Sequence, residues 1–257
     1  MRILFIRHGD PDYVNDTLTE KGHREATLLA NIAESWHMGD CYVSPLGRAQ
    51  DTAAYSLKKL GSTGVTLDWL QEFPAALDIN GRPELQQAYP DTYKSGDRFG
   101  QRIVWDCLPS YWTAHPEYLD PQGWRTSKVA DCSDLVQTYD RVTAAFDELL
   151  ARYGYVREDR HYRVDKECTG TITFFCHFGI SAALLSHLWN LSPFTLFHSL
   201  ALAPSSVTEI VTEERQQGIA YFRALRIGDT RHLFLGNEEP SFAARFCEVY
   251  SNKEQRH

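Results

Sequence analysis

The sequence predicts an α/β fold with an open, largely parallel sheet flanked by helices and an inserted lid region. Three observations carry this prediction. Short apolar runs rich in β-branched and aromatic residues alternate with amphipathic helical patterns along most of the chain. Two of those runs end directly on a histidine, at His8 and at His177. The length of 257 residues suits one large α/β domain spanning residues 1–257.

The first part of the chain predicts strands and helices in strict alternation. Thr19 is a typical N-cap residue, and Gly61 is a typical helix terminator. Ser44-Pro45 ends a short buried run, because proline cannot continue a central strand. The predicted elements are a strand from Arg2 to Ile6, a helix from about Thr19 to His37, a strand from Cys41 to Val43, a helix from about Leu46 to Leu60 and a strand from Val65 to Leu70.

The same alternation returns in the second half. Residues 134–153 carry a strong helical apolar periodicity, with Leu135, Val142 and Phe146 on one side. The last thirty residues show no clear pattern. The predicted elements are a helix from Asp134 to Tyr153, a strand from Thr171 to Cys176, a helix from Ile180 to Leu191 and an antiparallel pair formed by Val207 to Thr212 and Ile219 to Ile227.

Residues 78–132 interrupt the alternation and are predicted to be an insertion. Five prolines break any regular pattern there. Eight aromatic residues lie between Tyr89 and Trp124, whereas disordered segments are poor in such residues. We therefore expect this insertion to pack over the core as a lid.

Composition excludes several classes of function. The net charge of -8 argues against a nucleic-acid partner, since phosphate backbones are met by clustered positive charge. The six cysteines form no C-x-x-C pair, so neither a zinc site nor a redox motif is indicated, and no metal or cofactor is expected. The longest apolar stretches are too short or too polar for a signal peptide or a membrane span. A cytoplasmic, disulfide-free protein without a membrane partner is therefore expected.

Polar residues that carry chemistry follow three of the predicted strands. Ligands of open α/β sheets bind beyond the carboxyl ends of the strands, where loops lead into helix N-termini. The residues at these ends are Arg7, His8, Arg48 and His177. Two guanidinium groups suit the equatorial oxygens of a transferring phosphoryl group, and a helix N-terminus after Gly179 adds N–H donors.

These residue types fit phosphoryl transfer through a histidine. A neutral imidazole can attack phosphorus and leave again, which divides a difficult displacement into two easier steps. Neighbouring arginines should keep His8 unprotonated near neutral pH. The leaving alkoxide needs a proton, and we expect Glu72 to supply it and later to activate water. Asp78 and Glu84 are the alternative carboxylates for this role.

Four blocks resemble the histidine phosphatase superfamily, in its phosphoglycerate mutase-like phosphatase branch. In order they are I-R-H-G-D-P, L-T-E-K-G, S-P-L-G-R-A and the late H-F-G. The resemblance covers about residues 1–73 and 134–227, and it implies a phosphoglycerate mutase-like fold. It implies that His8 is the phosphoacceptor, that Arg7, Arg48 and His177 complete the phosphate pocket, and that Glu72 is the proton donor.

This chain departs from the family pattern at two places. Many members have glycine directly after the second histidine, where this chain has Phe178. Mutase-like members often have asparagine six residues after the first histidine, where this chain has Val14 and then Asn15.

Three functions remain open at the level of sequence. The leading hypothesis is a metal-independent phosphomonoesterase that acts on a phosphorylated small molecule through a phosphohistidine intermediate. A phosphoglycerate mutase-like phosphotransferase is the first alternative, although the aromatic insertion in place of a mutase-like loop counts against it. A non-catalytic module that binds a phosphorylated ligand is the second. The sequence indicates neither the natural substrate nor an oligomeric state.

Overall fold

The computed structural model describes residues 1–89, 101–243, 249, 251 and 252. Strands and helices alternate through most of this part of the chain. The strands are β1 (Arg2–Arg7), β2 (Pro11–Asp12), β3 (Thr17–Leu18), β4 (Asp40–Val43), β5 (Gly64–Thr66), β6 (Ala76–Asp78), β7 (Gln101–Ile103), β8 (Tyr155–Glu158), β9 (His161–Val164), β10 (Thr171–Cys176), β11 (Val207–Gln216) and β12 (Ile219–Asp229). The helices are α1 (Glu20–Asn31), α2 (Ala33–Trp36), α3 (Gly47–Leu60), α4 (Pro83–Gln86), α5 (Pro109–Trp112), α6 (Lys128–Asp131), α7 (Leu135–Arg152), α8 (Phe178–Trp189), α9 (Pro193–Ser199) and α10 (Arg231–Leu235).

The main sheet has eight strands in the order β5-β4-β10-β1-β11-β12-β9-β8. Strands β5, β4, β10 and β1 pair in parallel. Strand β11 then pairs antiparallel with β1, and two hairpins extend the sheet on that side. The α/β fold class with helices around an open sheet is confirmed. The parallel strands form the part of the sheet on which the candidate site is built.

Helices cover both faces of the central strands β1 and β10, so the residues after the first in each of these strands are buried. Alternate residues of β1 point to opposite faces, as the two-residue period of a strand requires. Ile3 and Phe5 join the larger core with Phe146 of α7, whose ring centroid lies 6.3 Å from that of Phe5. Leu4 and Ile6 join a second core on the face covered by α1 and α3. None of the helices in the described ranges has the length and apolar character to cross a bilayer.

Most predicted elements are present, with two changes in the first half. The helix predicted from Thr19 to His37 is divided at Ile32 into α1 and α2. The six-residue strand predicted from Val65 to Leu70 is wrong. Strand β5 ends at Thr66, and a single 3₁₀ turn at Asp68–Leu70 follows, which directs Leu70 into the core.

The second half contains elements that the sequence did not indicate. They are the hairpin β8–β9 and the helices α9 and α10. The helix predicted at Ile180 begins two residues earlier, at Phe178, so that His177 itself stands at its N-cap position.

The insertion predicted at residues 78–132 folds against the main core over its described residues. Strand β7 pairs with β6. The insertion also contains the short helices α4, α5 and α6, in keeping with the irregular structure that the prolines predict. Tyr118 and Trp124 are fully buried in the larger core. Residues 90–100, which belong to the same insertion, lie outside the described residues. Its role as a lid stays a prediction.

Two glycines hold the loop after β1 against the start of α1. A β-carbon on Gly22 would lie 2.2 Å from the backbone oxygen of Asp10. A β-carbon on Gly9 would lie 2.8 Å from the backbone oxygen of Gly22. Both distances are far below van der Waals contact, and the neighbours are backbone atoms that cannot rotate away. The glycines of the R-H-G and L-T-E-K-G blocks therefore set how closely this loop approaches the helix.

Replacing Gly22 with alanine tests this contact, because the sign of the change in the free energy of unfolding depends on it. Alanine favours a helix by about 1 kcal/mol over glycine, so a helical position with free space would gain stability. We expect Gly22→Ala instead to lower the free energy of unfolding by about 1–3 kcal/mol, because the added methyl group forces backbone apart. Urea unfolding followed by circular dichroism measures the change.

Gly61→Ala is the matched control. Gly61 has φ of 61° and no atom within 4 Å of an added β-carbon, so only the left-handed backbone conformation opposes alanine there. We expect that variant to lose about 1 kcal/mol of unfolding free energy. A Gly22→Ala protein as stable as the wild type would contradict the role given to this contact.

Candidate active site

His8 directly follows β1, and its backbone N–H and carbonyl oxygen are both hydrogen-bonded to neighbouring segments. Its N–H donates to the carbonyl oxygen of Cys176 at 3.0 Å, and its own carbonyl oxygen accepts the N–H of Ser205 at 2.9 Å. The ring is buried, and its Nδ1 lies 2.7 Å from the carbonyl oxygen of Gly9. A carbonyl oxygen only accepts, so Nδ1 carries the proton. Nε2 of the neutral ring is therefore left with its lone pair.

His177 occupies the equivalent place at the end of the adjacent strand β10. The centroids of the two imidazole rings lie 5.1 Å apart. His177 Nε2 lies 2.7 Å from the hydroxyl oxygen of Ser44, which follows the next parallel strand, β4. His177 Nδ1 is buried and has no hydrogen-bond partner among the described residues.

Arg7 and Arg48 add two buried guanidinium groups to the histidines. Arg7 donates through Nη1 to the carbonyl oxygen of Leu202 and, at 3.4 Å, to that of Ala243. Arg48 donates through Nη1 to Oδ1 of Asp16 at 2.5 Å. The Nε groups of both arginines are buried without a partner in the described part of the chain. Buried donors are normally satisfied, so these two and His177 Nδ1 form a cluster suited to an anion.

Glu72 lies against the N-terminus of α8. Its Oε1 accepts the backbone N–H of Phe73 at 2.8 Å and that of Ile180 at 3.1 Å. Burial raises the pKa of this carboxyl, while the nearby charges of Arg7 and Arg48 oppose the shift. The alternative carboxylates are placed differently. Asp78 and Glu84 are exposed, and Glu84 pairs with Lys128 at 3.0 Å.

Burial is also the main influence on the two histidines. It lowers the pKa of His8 well below its usual value, and the charge of Arg7 lowers it further. The pKa of His177 is lowered by burial first and then by His8 and the arginines. Both imidazoles are therefore neutral near pH 7. The five side chains that the sequence singled out thus lie in one cluster of neutral rings, cations and one carboxyl.

Several residues of this cluster were not anticipated from the sequence. Asp16 clamps the start of α3, accepting the N–H of Gly47 at 2.7 Å with one oxygen and Arg48 with the other. Ser44 bonds to His177, and its place in the S-P-L-G-R-A block was the only available signal. Trp105 comes from the insertion. A β-carbon on Gly179 would lie 2.8 Å from both its ring and Glu72 Oε1, so indole and carboxyl adjoin.

The structure shows where the two departures from the family pattern, at Phe178 and at Val14, lie. Phe178 is partly exposed, whereas Gly179 is the buried position that adjoins Glu72. Val14 is 93% exposed, and the side chain of Asn15 donates to Asp12 at 2.7 Å. In the described part of the chain, no group of three or more histidine, cysteine, aspartate or glutamate side chains is arranged to hold a metal ion.

The sheet and the cluster at its carboxyl edge define an α/β protein with a buried, donor-rich group of side chains around two histidines. Residues 3–105 match the model of the histidine phosphatase superfamily (branch 1). The resemblance drawn from the sequence is thereby confirmed. The matched segment contains His8, both arginines and Glu72.

Solved phosphatase structures share this fold. A mycobacterial glucosyl-3-phosphoglycerate phosphatase complexed with VO3 has a TM-score of 0.53 and 18% identity, with 88% of this chain and 98% of that chain covered. A phosphoserine phosphatase from Entamoeba histolytica in complex with 3-phosphoglyceric acid has a TM-score of 0.55 and 14% identity, with 90% and 98% covered. At 14–18% identity these likenesses show the fold.

Curated relatives match over a shorter stretch. Proteins named leucine–tRNA ligase from Brucella ovis and Brucella canis are each 30% identical over 96 residues, which is 37% of this chain. The matched stretch is 11% of the length of each relative. The chain thus corresponds to about a tenth of those proteins.

A second buried carboxyl supports the loop that follows His8. Glu25 accepts the N–H of Asp10 at 2.8 Å and that of Ser241 at 3.3 Å. The side chain of Asp10 accepts the hydroxyl of Thr19 at 2.6 Å. Burial raises the pKa of Glu25 to about 7. The loop that follows His8, helix α1 and the segment at Ser241 meet at this carboxyl.

Replacing Glu25 with glutamine should reveal this shift as a pH-dependent change in stability. The folded carboxyl holds its proton up to about pH 7, whereas the unfolded carboxyl releases it near 4.5. The wild type therefore loses stability as pH rises between these values, and glutamine does not. We expect the unfolding free energy of Glu25→Gln minus that of the wild type to rise with pH by up to about 3 kcal/mol. Above the pKa of the folded carboxyl, this difference should level off.

Urea unfolding at a series of pH values from 4 to 8 measures this difference. Glu20→Gln, an exposed residue on the same helix, is the control and should change stability by less than about 0.5 kcal/mol. A Glu25→Gln difference that stays constant across the series would show that the proposed shift is absent.

Proposed function

We propose that the protein is a metal-independent phosphomonoesterase that hydrolyses a phosphorylated small molecule through a phosphohistidine on His8. One observation carries this proposal. The bond from Nδ1 to Gly9 leaves the lone pair of Nε2 on a buried, neutral imidazole, beside donors of Arg7, Arg48 and His177 that have no protein partner in the described residues. A nucleophile and the groups that would hold its target therefore adjoin.

In the first step, Nε2 of His8 attacks phosphorus and the bond from phosphorus to the leaving oxygen breaks. The phosphoryl oxygens receive hydrogen bonds from the arginines and His177, which stabilise charge that develops in the transition state. The raised pKa of Glu72 keeps a proton available, and that proton passes to the leaving alkoxide. The products of this step are an alcohol, phosphohistidine and the carboxylate of Glu72.

In the second step, a water molecule attacks the phosphohistidine. Glu72, now a carboxylate, takes a proton from that water as its oxygen bonds to phosphorus. The bond from phosphorus to Nε2 breaks, and His8 leaves as a neutral ring because burial and Arg7 disfavour a positive charge on it. Inorganic phosphate departs, and both residues have returned to their starting protonation states.

The site and the structural neighbours support this substrate class. The neighbours named above are phosphatases of phosphorylated small molecules by their names. The aromatic insertion beside Glu72 favours hydrolysis over a phosphoglycerate mutase-like transfer, which needs a loop that holds a bisphosphorylated intermediate and excludes water. The 11% share of the leucine–tRNA ligases that is matched supplies no reason to propose aminoacylation.

We also place the enzyme in the cytoplasm, without nucleic-acid or membrane partners. The five described cysteines are free, which suits a reducing compartment. The net charge of -8 disfavours a nucleic-acid ligand.

The nucleophile is tested with His8→Ala and a chromogenic aryl phosphate in the presence of EDTA. We expect the wild type to hydrolyse the ester and to form an acid-labile phosphoenzyme. His8→Ala should lose the phosphoenzyme and at least about 10³-fold in kcat, because the attacking atom is gone. His187→Gln is the control, since His187 bonds to Asp147 at 2.8 Å outside the cluster, and it should keep both signals.

Three results would count against the proposal. A wild type with neither turnover nor phosphoenzyme would leave the binding module as the better hypothesis. Transfer between phosphoglycerates without release of phosphate would favour the mutase. Full activity in His8→Ala would assign the nucleophile elsewhere.

The proton donor is tested with Glu72→Gln and a matched pair of substrates, an alkyl phosphate and a p-nitrophenyl phosphate. We expect the rate of phosphoenzyme formation on the alkyl ester to fall by about 10²–10⁴-fold, because its leaving oxygen needs a proton. The p-nitrophenyl ester should lose much less, since its leaving group departs as an anion. In the wild type, kcat for the alkyl ester should also fall with rising pH as Glu72 ionises, and the raised pKa of Glu72 moves this fall to higher pH than for an ordinary glutamate. Rapid-quench kinetics measures both, and an equal loss on the two esters would argue against Glu72 as the donor.

A further inference from the structure

We propose that Ser44 is a positioning residue that sets His177 in the tautomer with its proton on Nδ1, so that this ring donates to a phosphoryl oxygen. The inference rests on the proposed function for its purpose, but the tautomer itself is a property of the free protein. It concerns a serine to which neither the sequence motifs nor the mechanism above assigns a role. The juxtaposition that carries it is the contact between Ser44 Oγ and His177 Nε2, 2.7 Å long and fully buried.

The hydroxyl of Ser44 has a defined direction of donation. Its backbone N–H is bound to the carbonyl oxygen of Phe175 at 2.9 Å, which fixes the residue at the sheet edge. Its Oγ accepts the N–H of Leu46 at 3.3 Å. In the described part of the chain, the only acceptor within reach of the hydroxyl proton is His177 Nε2. A buried hydroxyl that does not donate loses a hydrogen bond, so Ser44 donates to Nε2.

This donation decides which nitrogen of His177 carries the proton. A nitrogen that accepts a hydrogen bond holds a lone pair, so the proton of the neutral ring is on Nδ1. Nδ1 is buried and has no partner among the described residues, which leaves its N–H available to a ligand. In the opposite tautomer, a lone pair on Nδ1 would face the phosphoryl oxygens and repel them.

The two histidines are therefore held in the same tautomer, with the proton on Nδ1, by an acceptor at Nδ1 of one ring and a donor at Nε2 of the other. The carbonyl oxygen of Gly9 draws the proton of His8 to Nδ1 and leaves Nε2 as a nucleophile. The hydroxyl of Ser44 occupies Nε2 of His177 and leaves Nδ1–H as a donor. A neutral donor serves this place better than a cation, because an imidazolium 5.1 Å from His8 would add positive charge beside an atom that must become positive as it attacks.

The tautomer can be measured directly in the wild-type protein by two-bond ¹H–¹⁵N correlation spectroscopy of its histidine rings. The signals of His177 are identified as those absent from His177→Gln. We expect a pyrrole-like ¹⁵N shift for Nδ1 and a pyridine-like shift for Nε2 at pH 7. A pyridine-like Nδ1, or two pyrrole-like nitrogens, would overturn the proposal.

Kinetics tests what the tautomer does. We expect Ser44→Ala to lower kcat for the aryl phosphate by about tenfold with little change in KM, because the donor matters most as charge develops on the phosphoryl oxygens. The same variant should show His177 as a mixture of tautomers. Ser44→Thr keeps a hydroxyl and should recover most of the rate and the wild-type ring shifts.

Ser181→Ala is the matched control for loss of a buried serine nearby. Ser181 donates to the backbone oxygen of His177 at 2.7 Å and does not touch the ring. We expect it to leave kcat and the His177 shifts unchanged. Equal kcat losses in Ser44→Ala and Ser181→Ala, with unchanged ring shifts in both, would reduce Ser44 to a structural residue.

The experiments separate this inference from the proposed function. A wild type that shows the expected tautomer but no turnover would refute the phosphatase and leave the positioning by Ser44 standing. A wild type that turns over normally with the opposite tautomer would refute the positioning and leave the phosphatase standing. If Ser44→Ala does not fold, the ring shifts of the wild type still decide the tautomer.

Discussion

The parallel pairing of β10 with β1 on one side and with β4 on the other is the constraint on which the site depends. The register places Arg7 opposite Cys176 and Phe175 opposite Val43. The ladder continues one residue beyond the strands, because His8 and Ser44 donate to carbonyl oxygens of β10. A slip of one residue would turn every side chain of the slipped strand to the other face of the sheet. The hydrogen bonds that hold the sheet together thus also fix the positions of both histidines and of the serine between the strands.

The positive charges of the two arginines at this edge of the sheet are only partly balanced, which suits the binding of an anion. Arg7 is bound by carbonyl oxygens rather than by a carboxylate, so its charge is solvated by dipoles but not cancelled. Arg48 is partly balanced by Asp16. A buried cation without a full counter-charge costs free energy that a bound anion offsets. Ligand binding and folding therefore stabilise each other at this edge of the sheet, within a chain whose net charge is -8.

The sequence predicted the parts of the molecule whose signals are periodic or contiguous. Strand β10 is a continuous apolar run between helices, and α7 has a sustained apolar stripe, so both were found with nearly correct bounds. The strand expected at 65–70 was wrong because an exposed edge strand and a turn give the same short apolar pattern as one longer strand. The hairpin β8–β9 was missed because half of its strand residues are charged or histidine and its strands are four residues long.

The parts of the site that could not be predicted from the sequence are contacts between residues far apart in the chain. Ser44 and His177 are 133 residues apart, and Asp16 and Arg48 are 32 apart. Neither separation follows from a helical or strand period. Trp105 lies in a segment without a motif, and only the packing around Gly179 places it beside Glu72. The side chains of the cluster could be predicted as a set, whereas their hydrogen-bond partners and the tautomers of the rings needed the structure.

The position of β10 in the sheet has a consequence for the time at which the site forms. Strands β1 and β4 are not neighbours, and β10 lies between them although it follows β4 by more than 120 residues. A growing chain that has emerged only as far as α3 contains His8 and both arginines but has no strand to join their segments. Contacts of such long range form late in folding. The cluster around His8 is thus assembled only after residue 177 has been made.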